Sequence, residues 1–216
     1  MQHAQSRTRS LRWAGRGAVA LLAGLVAAGV SPALPALAGT WSAPVQLPGS
    51  CGSAVAVNQA GAMAAGGTFT AADGTTHVQV CTSPDGKTWQ AADLGPGGNA
   101  PDAGQHPVVA VGPDGRVVAV WGSAVGCPAA CDYIVQAAVR PAGGSWGAPV
   151  TLSTFLSILT TSGGMAIGTD GAGNVIAAWV ESNPLNVHYA VLPAGSGSWG
   201  PDKAISDQNT QGRRTT

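Results

Sequence analysis

The sequence predicts an all-β chain that folds as a series of four-stranded antiparallel sheets. Tryptophans recur through its 216 residues at separations of 48, 57 and 53 residues, at Trp41, Trp89, Trp146 and Trp199. Between them lie short runs of small and β-branched residues, separated by glycine, proline and aspartate turn signals. A period in this range indicates supersecondary units that stack on one another to bury their faces.

The first 38 residues have the pattern of a signal peptide. Arginines precede an apolar stretch at residues 18–30, and Ala36-Leu-Ala38 has the pattern of a cleavage site. These arginines are Arg7, Arg9, Arg12 and Arg16. The apolar stretch is short, since a membrane span needs about 20 residues. An uncleaved N-terminal anchor is the alternative, and we expect a secreted, extracellular protein.

Removal of residues 1–38 changes the charge of the chain. Six basic and ten acidic residues remain, which gives a net charge of −4. A net negative chain is a poor partner for nucleic acid or for an anionic membrane surface. We therefore expect neither a nucleic-acid partner nor a membrane association after signal cleavage.

The four cysteines predict two disulfides, because disulfides form in exported proteins. A local bridge between Cys127 and Cys131 would leave Cys51 to pair with Cys81. A zinc site is the alternative. It would need additional ligands, and the remaining histidines are His77, His106 and His188. We expect no metal and no cofactor.

Three repeat units follow the signal peptide, at residues 49–95, 105–153 and 162–205, within a repeat domain at residues 39–205. The middle unit is the clearest. Two strands flank the hairpin turn Pro113-Asp-Gly115, a third covers residues 133–140, and a fourth begins at Trp146. Residues 41–47, which precede the first unit, resemble the fourth strand of a unit. Residues 206–216 form a polar tail.

The inner strands of the middle unit are continuously apolar. Val108-Val-Ala-Val111 and Val117-Val-Ala-Val120 do not alternate with polar residues, which indicates burial on both faces. Four-stranded antiparallel sheets buried on both faces stack as the blades of a β-propeller do. Pro44 and Pro149 place the fourth strand at a sheet edge, because proline cannot donate to the ladder.

Three blades and one N-terminal strand predict an incomplete, open propeller. Propellers typically have at least four blades, so an arc of three leaves an apolar face bare at each end. Such faces favour self-association, because large exposed apolar patches are rare on monomers. A fragment of a longer propeller is the alternative.

One turn resembles a family motif. Ser83-Pro-Asp-Gly-Lys-Thr-Trp89 is similar to the Asp box, or neuraminidase repeat, of sialidase-like propellers, whose fuller form is Ser-x-Asp-x-Gly-x-Thr-Trp. This copy is one residue short, and the turns before Trp146 and Trp199 keep only the Gly/Ser-Trp end. The resemblance implies a propeller, here a truncated member, in which the box is a structural hairpin between the third and fourth strands.

The resemblance does not extend to catalytic residues. Sialidase chemistry would require three arginines that clamp a substrate carboxylate. After the signal peptide the arginines are Arg116, Arg140, Arg213 and Arg214, two of them in the polar tail. We therefore predict no catalytic residues and a non-catalytic binding protein, with a glycan or an extracellular protein as partner.

Four side chains are the candidate ligand-binding residues. Asp132 and Glu181 lie in comparable inter-strand loops of adjacent units, and two tyrosines lie nearby in the sequence, Tyr133 and Tyr189. A pair of acids also permits a glycosidase mechanism. The alternatives are therefore a fragment of a sialidase-like glycoside hydrolase and a structural exported protein with a protein partner.

Overall fold

A computed structural model describes residues 43–98, 106–125, 132–153, 164–182 and 185–205. Sheet 1 contains β1 (Cys51–Val57), β2 (Met63–Thr70), β3 (Thr76–Ser83) and β4 (Gln90–Gly98). Sheet 2 contains β5 (Val108–Val111), β6 (Val117–Val125), β7 (Asp132–Arg140) and β8 (Val150–Thr151). Sheet 3 contains β9 (Met165–Thr169), β10 (Val175–Ser182), β11 (Leu185–Leu192) and β12 (Lys203–Ala204). Within these ranges, no helix is long and apolar enough to cross a membrane.

The all-β prediction of three four-stranded antiparallel sheets is confirmed. In each sheet the strands lie side by side in sequence order, and neighbouring strands are antiparallel. The predicted hairpin at Pro113-Asp-Gly115 joins β5 to β6. Its glycine has a φ of 83°, and the Gly112 N–H donates to the Arg116 carbonyl at 2.7 Å. A positive φ is readily adopted by glycine, which explains the residue at this turn.

Both faces of sheet 2 are buried against the neighbouring sheets. Val118, Val120 and Val135 pack with Trp179 of sheet 3, whereas alternate residues such as Trp121 pack toward sheet 1. The first strands β1, β5 and β9 lie next to one another along the stack. The continuous apolar runs in β5 and β6 therefore have the double burial that the sequence predicted, in a β-propeller-like arrangement.

The outer faces of the stack carry exposed apolar side chains. On sheet 1, Val55 and Val57 are more than half exposed. On sheet 3, Ile176 and Val187 are exposed on the face opposite Trp179. Leu47 and the Cys51–Cys81 disulfide cover the middle of the sheet 1 face, where Ala65 is buried, so its exposed apolar part lies at Val55 and Val57.

The predicted Cys51–Cys81 disulfide is present and links β1 to β3, with a Cα–Cα distance of 5.9 Å. β2 lies between these strands, so the chain at Ser50 and Cys51 must cross its face, and the β1 register shifts there. Gly67 permits the crossing, because a Cβ at this position would collide with the Ser50 carbonyl oxygen. The predicted Cys127–Cys131 bridge lies outside the described residues, as do the signal peptide and the polar tail.

The fourth strands differ from the prediction. Residues 43–47 form no strand, so the extra N-terminal strand is wrong over these residues. Each described sheet has its own fourth strand, and Leu47 instead packs against the Cys51–Cys81 disulfide. β8 and β12 are only two residues long and begin after Trp146 and Trp199 rather than at them. Proline residues precede both strands and lack the N–H that a longer ladder would need.

Candidate functional site

Three polar side chains meet inside sheet 3. Glu181 lies near the end of β10, His188 lies on β11, and Asp202 directly precedes β12. Glu181 shares a face with His188, because Trp179 pairs with His188 and lies two residues before Glu181. This face packs against sheet 2. We call Glu181, His188 and Asp202 the acidic–histidine cluster.

The imidazole of His188 lies between two carboxylates. Its Nδ1 is 2.8 Å from Asp202 Oδ1, and its Nε2 is 3.4 Å from Glu181 Oε2. The indole N–H of Trp179 donates to Glu181 Oε1 at 3.1 Å, and the Trp179 ring stacks on the imidazole. Trp179 therefore fixes both the acid and the histidine.

The cluster is almost completely buried. Glu181 is 1% exposed, and the side chains of His188 and Asp202 are 8% and 2% exposed. Burial raises the pKa of the Glu181 carboxyl, and the charge of Asp202 acts in the same direction, whereas Trp179 and His188 oppose it. Glu181 Oε2 has no hydrogen-bond donor among the described residues. Such an arrangement can hold a proton or a cation.

Sheet 1 contains part of the same arrangement. His77 Nδ1 lies 2.8 Å from Asp93 Oδ2, and the Phe69 ring lies 5.5 Å from the imidazole. The pair is more open, with side chains 18% and 47% exposed. Ala71 follows Phe69 by two residues, at the position that corresponds to Glu181 after Trp179. Sheet 1 therefore has the histidine and the aspartate without the buried glutamate.

Sheet 2 has neither a histidine nor an acid at these positions. Trp121 pairs with Gln136, as Trp179 pairs with His188. Ser123 stands where sheet 3 has Glu181, and Trp121 Nε1 has no hydrogen-bond partner in the described part of the chain. Only the third sheet combines all three groups within the described ranges.

Two of the predicted ligand-binding residues lie on opposite faces of sheet 3. Glu181 belongs to the acidic–histidine cluster, whereas Tyr189 lies on the opposite face of sheet 3, paired with Ala178 and Lys203. Tyr133 is half-buried against the core between sheets 2 and 3. Asp132 begins β7, and its side chain lies outside the described residues.

The sequence analysis did not identify His188 and Asp202 as site residues. One signal was present in the sequence. Histidines stand 12 residues before Trp89 and 11 before Trp199, and aspartates follow these tryptophans by four and three residues. The recurrence predicts a histidine–aspartate contact between the third and fourth strands. It does not reveal Glu181, which occurs in one unit only.

A second feature is a groove between the outer parts of sheets 2 and 3, with a volume of about 280 Å³. Trp146 and Trp199 line it and are both half-buried, together with Ser145 and Val150. Trp199 Nε1 is buried without a hydrogen-bond partner among the described residues. The groove thus presents two indoles from successive repeats, with one unpaired donor.

The two described arginines are engaged in structural contacts. Arg116 is buried and donates from Nη2 to the Gly173 carbonyl at 2.6 Å and from Nη1 to the Ser196 carbonyl at 3.1 Å. Arg140 donates to the Gly144 carbonyl at 2.9 Å and to Thr82 Oγ1 at 3.2 Å. Their guanidinium groups therefore bind parts of the chain itself.

The turn that resembles an Asp box joins β3 to β4. Asp85 Oδ1 accepts backbone N–H groups from Thr88 and Lys87, both at 2.9 Å, and these bonds lower the pKa of Asp85. The Trp89 indole N–H donates to the Gly86 carbonyl at 3.2 Å. The aspartate therefore organises the hairpin and does not face the acidic–histidine cluster of sheet 3.

Comparison with known proteins gives a distant likeness in structure. No family model and no curated protein matches the sequence. The chain is similar to a xylan β-1,4-xylosidase from Bacillus halodurans C-125, with a TM-score of 0.43 and 15% identity over 70% of this chain and 31% of the xylosidase. It is similar to an α-L-arabinanase from Penicillium chrysogenum complexed with arabinobiose, with a TM-score of 0.42 and 15% identity over 76% of this chain and 49% of the arabinanase.

A protein of unknown function from Dyadobacter fermentans DSM 18053 also resembles the chain, with a TM-score of 0.42 and 13% identity over 72% of this chain and 54% of that protein. The chain thus spans between about a third and a half of the length of these three structures.

Proposed function

We propose that the chain is a secreted, non-catalytic β-propeller repeat protein that binds carbohydrate in the groove lined by Trp146 and Trp199. The observation that carries the proposal is the meeting of two partly exposed indoles in one groove. Aromatic faces carry negative charge density, so they attract the polarised C–H groups on the face of a sugar ring. Two such faces in one groove favour a ring-shaped, partly apolar ligand.

The remaining groove properties agree with a small sugar. Its volume of about 280 Å³ lies at the lower end of the range for small-molecule sites, roughly 300–1,000 Å³. The lining is mainly apolar, and Ser145 is a polar residue of it. A few polar groups in an apolar cleft orient a ligand and give it specificity.

Secretion is part of this proposal. The N-terminal leader supports it, as does the Cys51–Cys81 disulfide, because disulfides persist in oxidising compartments. We also propose a relationship to sialidase-like propellers, supported by the hydrogen-bonded Asp85 turn between β3 and β4. Arg116 and Arg140 donate to carbonyls of the chain itself, which supports a non-catalytic role.

A glycan array probed with the exported full chain tests the binding proposal. Trp199→Leu and Trp146→Leu should weaken binding of the best glycan by at least about tenfold, the equivalent of about 1.4 kcal/mol. Trp89→Leu is the matched control, because Trp89 marks the first repeat but packs near the disulfide, away from the groove. Affinities are measured by titration calorimetry.

Three results would oppose the proposal. Binding that survives both groove variants would place the ligand elsewhere. Release of sugar from the bound glycan would favour the glycoside-hydrolase alternative. An array without any signal would favour the structural protein with a protein partner.

We further propose that copies of the chain associate through their outer faces. The exposed Val55 and Val57 of sheet 1 and the exposed Ile176 and Val187 of sheet 3 belong to opposite ends of one stack. Head-to-tail contact between two copies would bury these exposed side chains beside the segment at Leu47 that crosses sheet 1.

Light scattering tests this association. We expect a mass of at least about twice the monomer at high concentration, since exposed apolar faces favour burial. Ile176→Lys should reduce the mass of the assembly. The control is Asp114→Asn, which changes an exposed residue in the β5–β6 turn and should leave that mass unchanged. A compact monomer at high concentration would contradict the proposal.

A further inference from the structure

We infer that Glu181 and His188 bind a divalent transition-metal ion, with zinc as the best match, and that Asp202 positions His188 for this role. The site lies within sheet 3 and is separate from the groove of Trp146 and Trp199. One potential ligand atom from each of the three side chains lies within 4.8 Å of the others.

The spacing of the two ligand atoms fits tetrahedral coordination. Zinc binds histidine nitrogen and carboxylate oxygen at about 2.0–2.2 Å, so two ligands of one tetrahedral ion lie roughly 3.3–3.5 Å apart. His188 Nε2 and Glu181 Oε2 are separated by 3.4 Å. This distance is longer than an ordinary hydrogen bond and equals the expected ligand–ligand distance.

Asp202 prepares the imidazole for a metal. Its carboxylate lies 2.8 Å from His188 Nδ1, where it accepts the proton of that nitrogen. The lone pair of Nε2 then points toward Glu181, as in the carboxylate–histidine–zinc arrangement of metalloproteins. A cation between Nε2 and Oε2 would satisfy both acceptors.

The second carboxylate has an unpaired oxygen. Trp179 donates to Glu181 Oε1, which directs Oε2 toward the imidazole, and Oε2 has no hydrogen-bond donor in the described part of the chain. Glu181 is 1% exposed, so water cannot readily compensate this oxygen. Burial of an unpaired polar atom is costly, which favours an ion at this position.

The two carboxyl groups of the cluster also favour a divalent cation. Two carboxyl groups lie in this buried space, Glu181 and Asp202, and a divalent cation would neutralise the charge that they carry when ionised. Imidazole and carboxylate together are a ligand set that zinc accepts, and two protein ligands leave open coordination positions.

Sheet 1 provides a natural control within the chain. His77 and Asp93 reproduce the histidine–aspartate pair, but Ala71 replaces the glutamate and the pair is more exposed. If a histidine–aspartate pair were sufficient, both sheets would bind metal. The inference requires that only sheet 3 does so.

The test uses the exported full chain after removal of metals with a chelator, and zinc chloride as the probe. We expect about one bound zinc per chain by elemental analysis, because the site offers a single pair of ligands. A hundredfold excess over Kd should raise Tm by about 5–10 °C. Co²⁺ should give the visible absorption of a low-symmetry tetrahedral site.

Variants distinguish the roles of the residues. Glu181→Gln removes a ligand charge with little change in shape and should abolish stoichiometric zinc binding. Asp202→Asn should weaken binding by about 10–100-fold, the range for partners of a metal-bound histidine. His77→Gln should bind zinc as the unmodified chain does. Circular dichroism in chelator shows that each variant is folded.

Three outcomes would overturn the inference. They are less than about a tenth of an equivalent of zinc on the unmodified chain, unchanged zinc affinity in folded Glu181→Gln, and loss of zinc in His77→Gln. The glycan titration is independent of these measurements, so failure of the zinc site leaves the groove proposal unaffected.

Discussion

Replacement of Arg116 by methionine should destabilise the protein by roughly 3–6 kcal/mol, because it removes two short hydrogen bonds from a charged donor, which contribute about 1.5–3 kcal/mol each. Arg116 directly follows the β5–β6 turn of sheet 2, and its guanidinium donates to the Gly173 and Ser196 carbonyls in turns of sheet 3. A third and longer bond, of 3.4 Å, reaches the Pro193 carbonyl. Methionine retains most of the side-chain volume, so the loss measures the hydrogen bonds. The three carbonyls would also lose this donor.

Urea unfolding followed by tryptophan fluorescence measures this effect. Arg140→Met is the matched control, because Arg140 is only half-buried and its bonds join it to its own turn and to Thr82. We expect its cost to be about 1–2 kcal/mol, since Arg140 is itself partly exposed and already has access to water. A loss below about 1 kcal/mol for Arg116→Met would show that the bridge between sheets 2 and 3 contributes little.

Removal of the Cys51–Cys81 disulfide by alanine at both positions should cost about 3.6 kcal/mol, from the chain-entropy relation for a loop of this length. The bridge closes 30 residues, and it fastens the segment that crosses β2 at Gly67. Thermal unfolding should show a decrease in Tm of about 7–14 °C, on the scale for domains of this size.

The Cys127→Ala, Cys131→Ala double variant is the control for the disulfide. If that predicted bridge forms, it closes only a short loop, so its removal should cost less in the same relation. Peptide mapping without reduction identifies both pairings directly. A fragment that links Cys51 to Cys127, or an unchanged Tm after loss of Cys51 and Cys81, would contradict the disulfide account.

Arg116 and the Cys51–Cys81 disulfide contribute to stability. The proposed glycan groove lies at the outer parts of sheets 2 and 3, and the proposed zinc site is the acidic–histidine cluster of sheet 3.

The three sheets could be predicted from local features of the sequence. Strand length, turn residues and repeat spacing are local properties, so they predicted three four-stranded antiparallel sheets and the hairpin at Pro113-Asp-Gly115. The continuous apolar runs of β5 and β6 predicted burial on both faces. The Cys51–Cys81 pairing followed from the cysteine spacing and the expected compartment.

The meeting of Glu181 with His188 and Asp202 depends on how the strands pair. The three side chains come from three segments, and a one-residue change of register between β10 and β11 would place Glu181 and His188 on opposite faces of the sheet. The spacing of histidine and aspartate around Trp89 and Trp199 indicated a contact between His188 and Asp202. It did not indicate that Glu181 joins them, because alternation along a strand fixes faces and not the contacts made across strands.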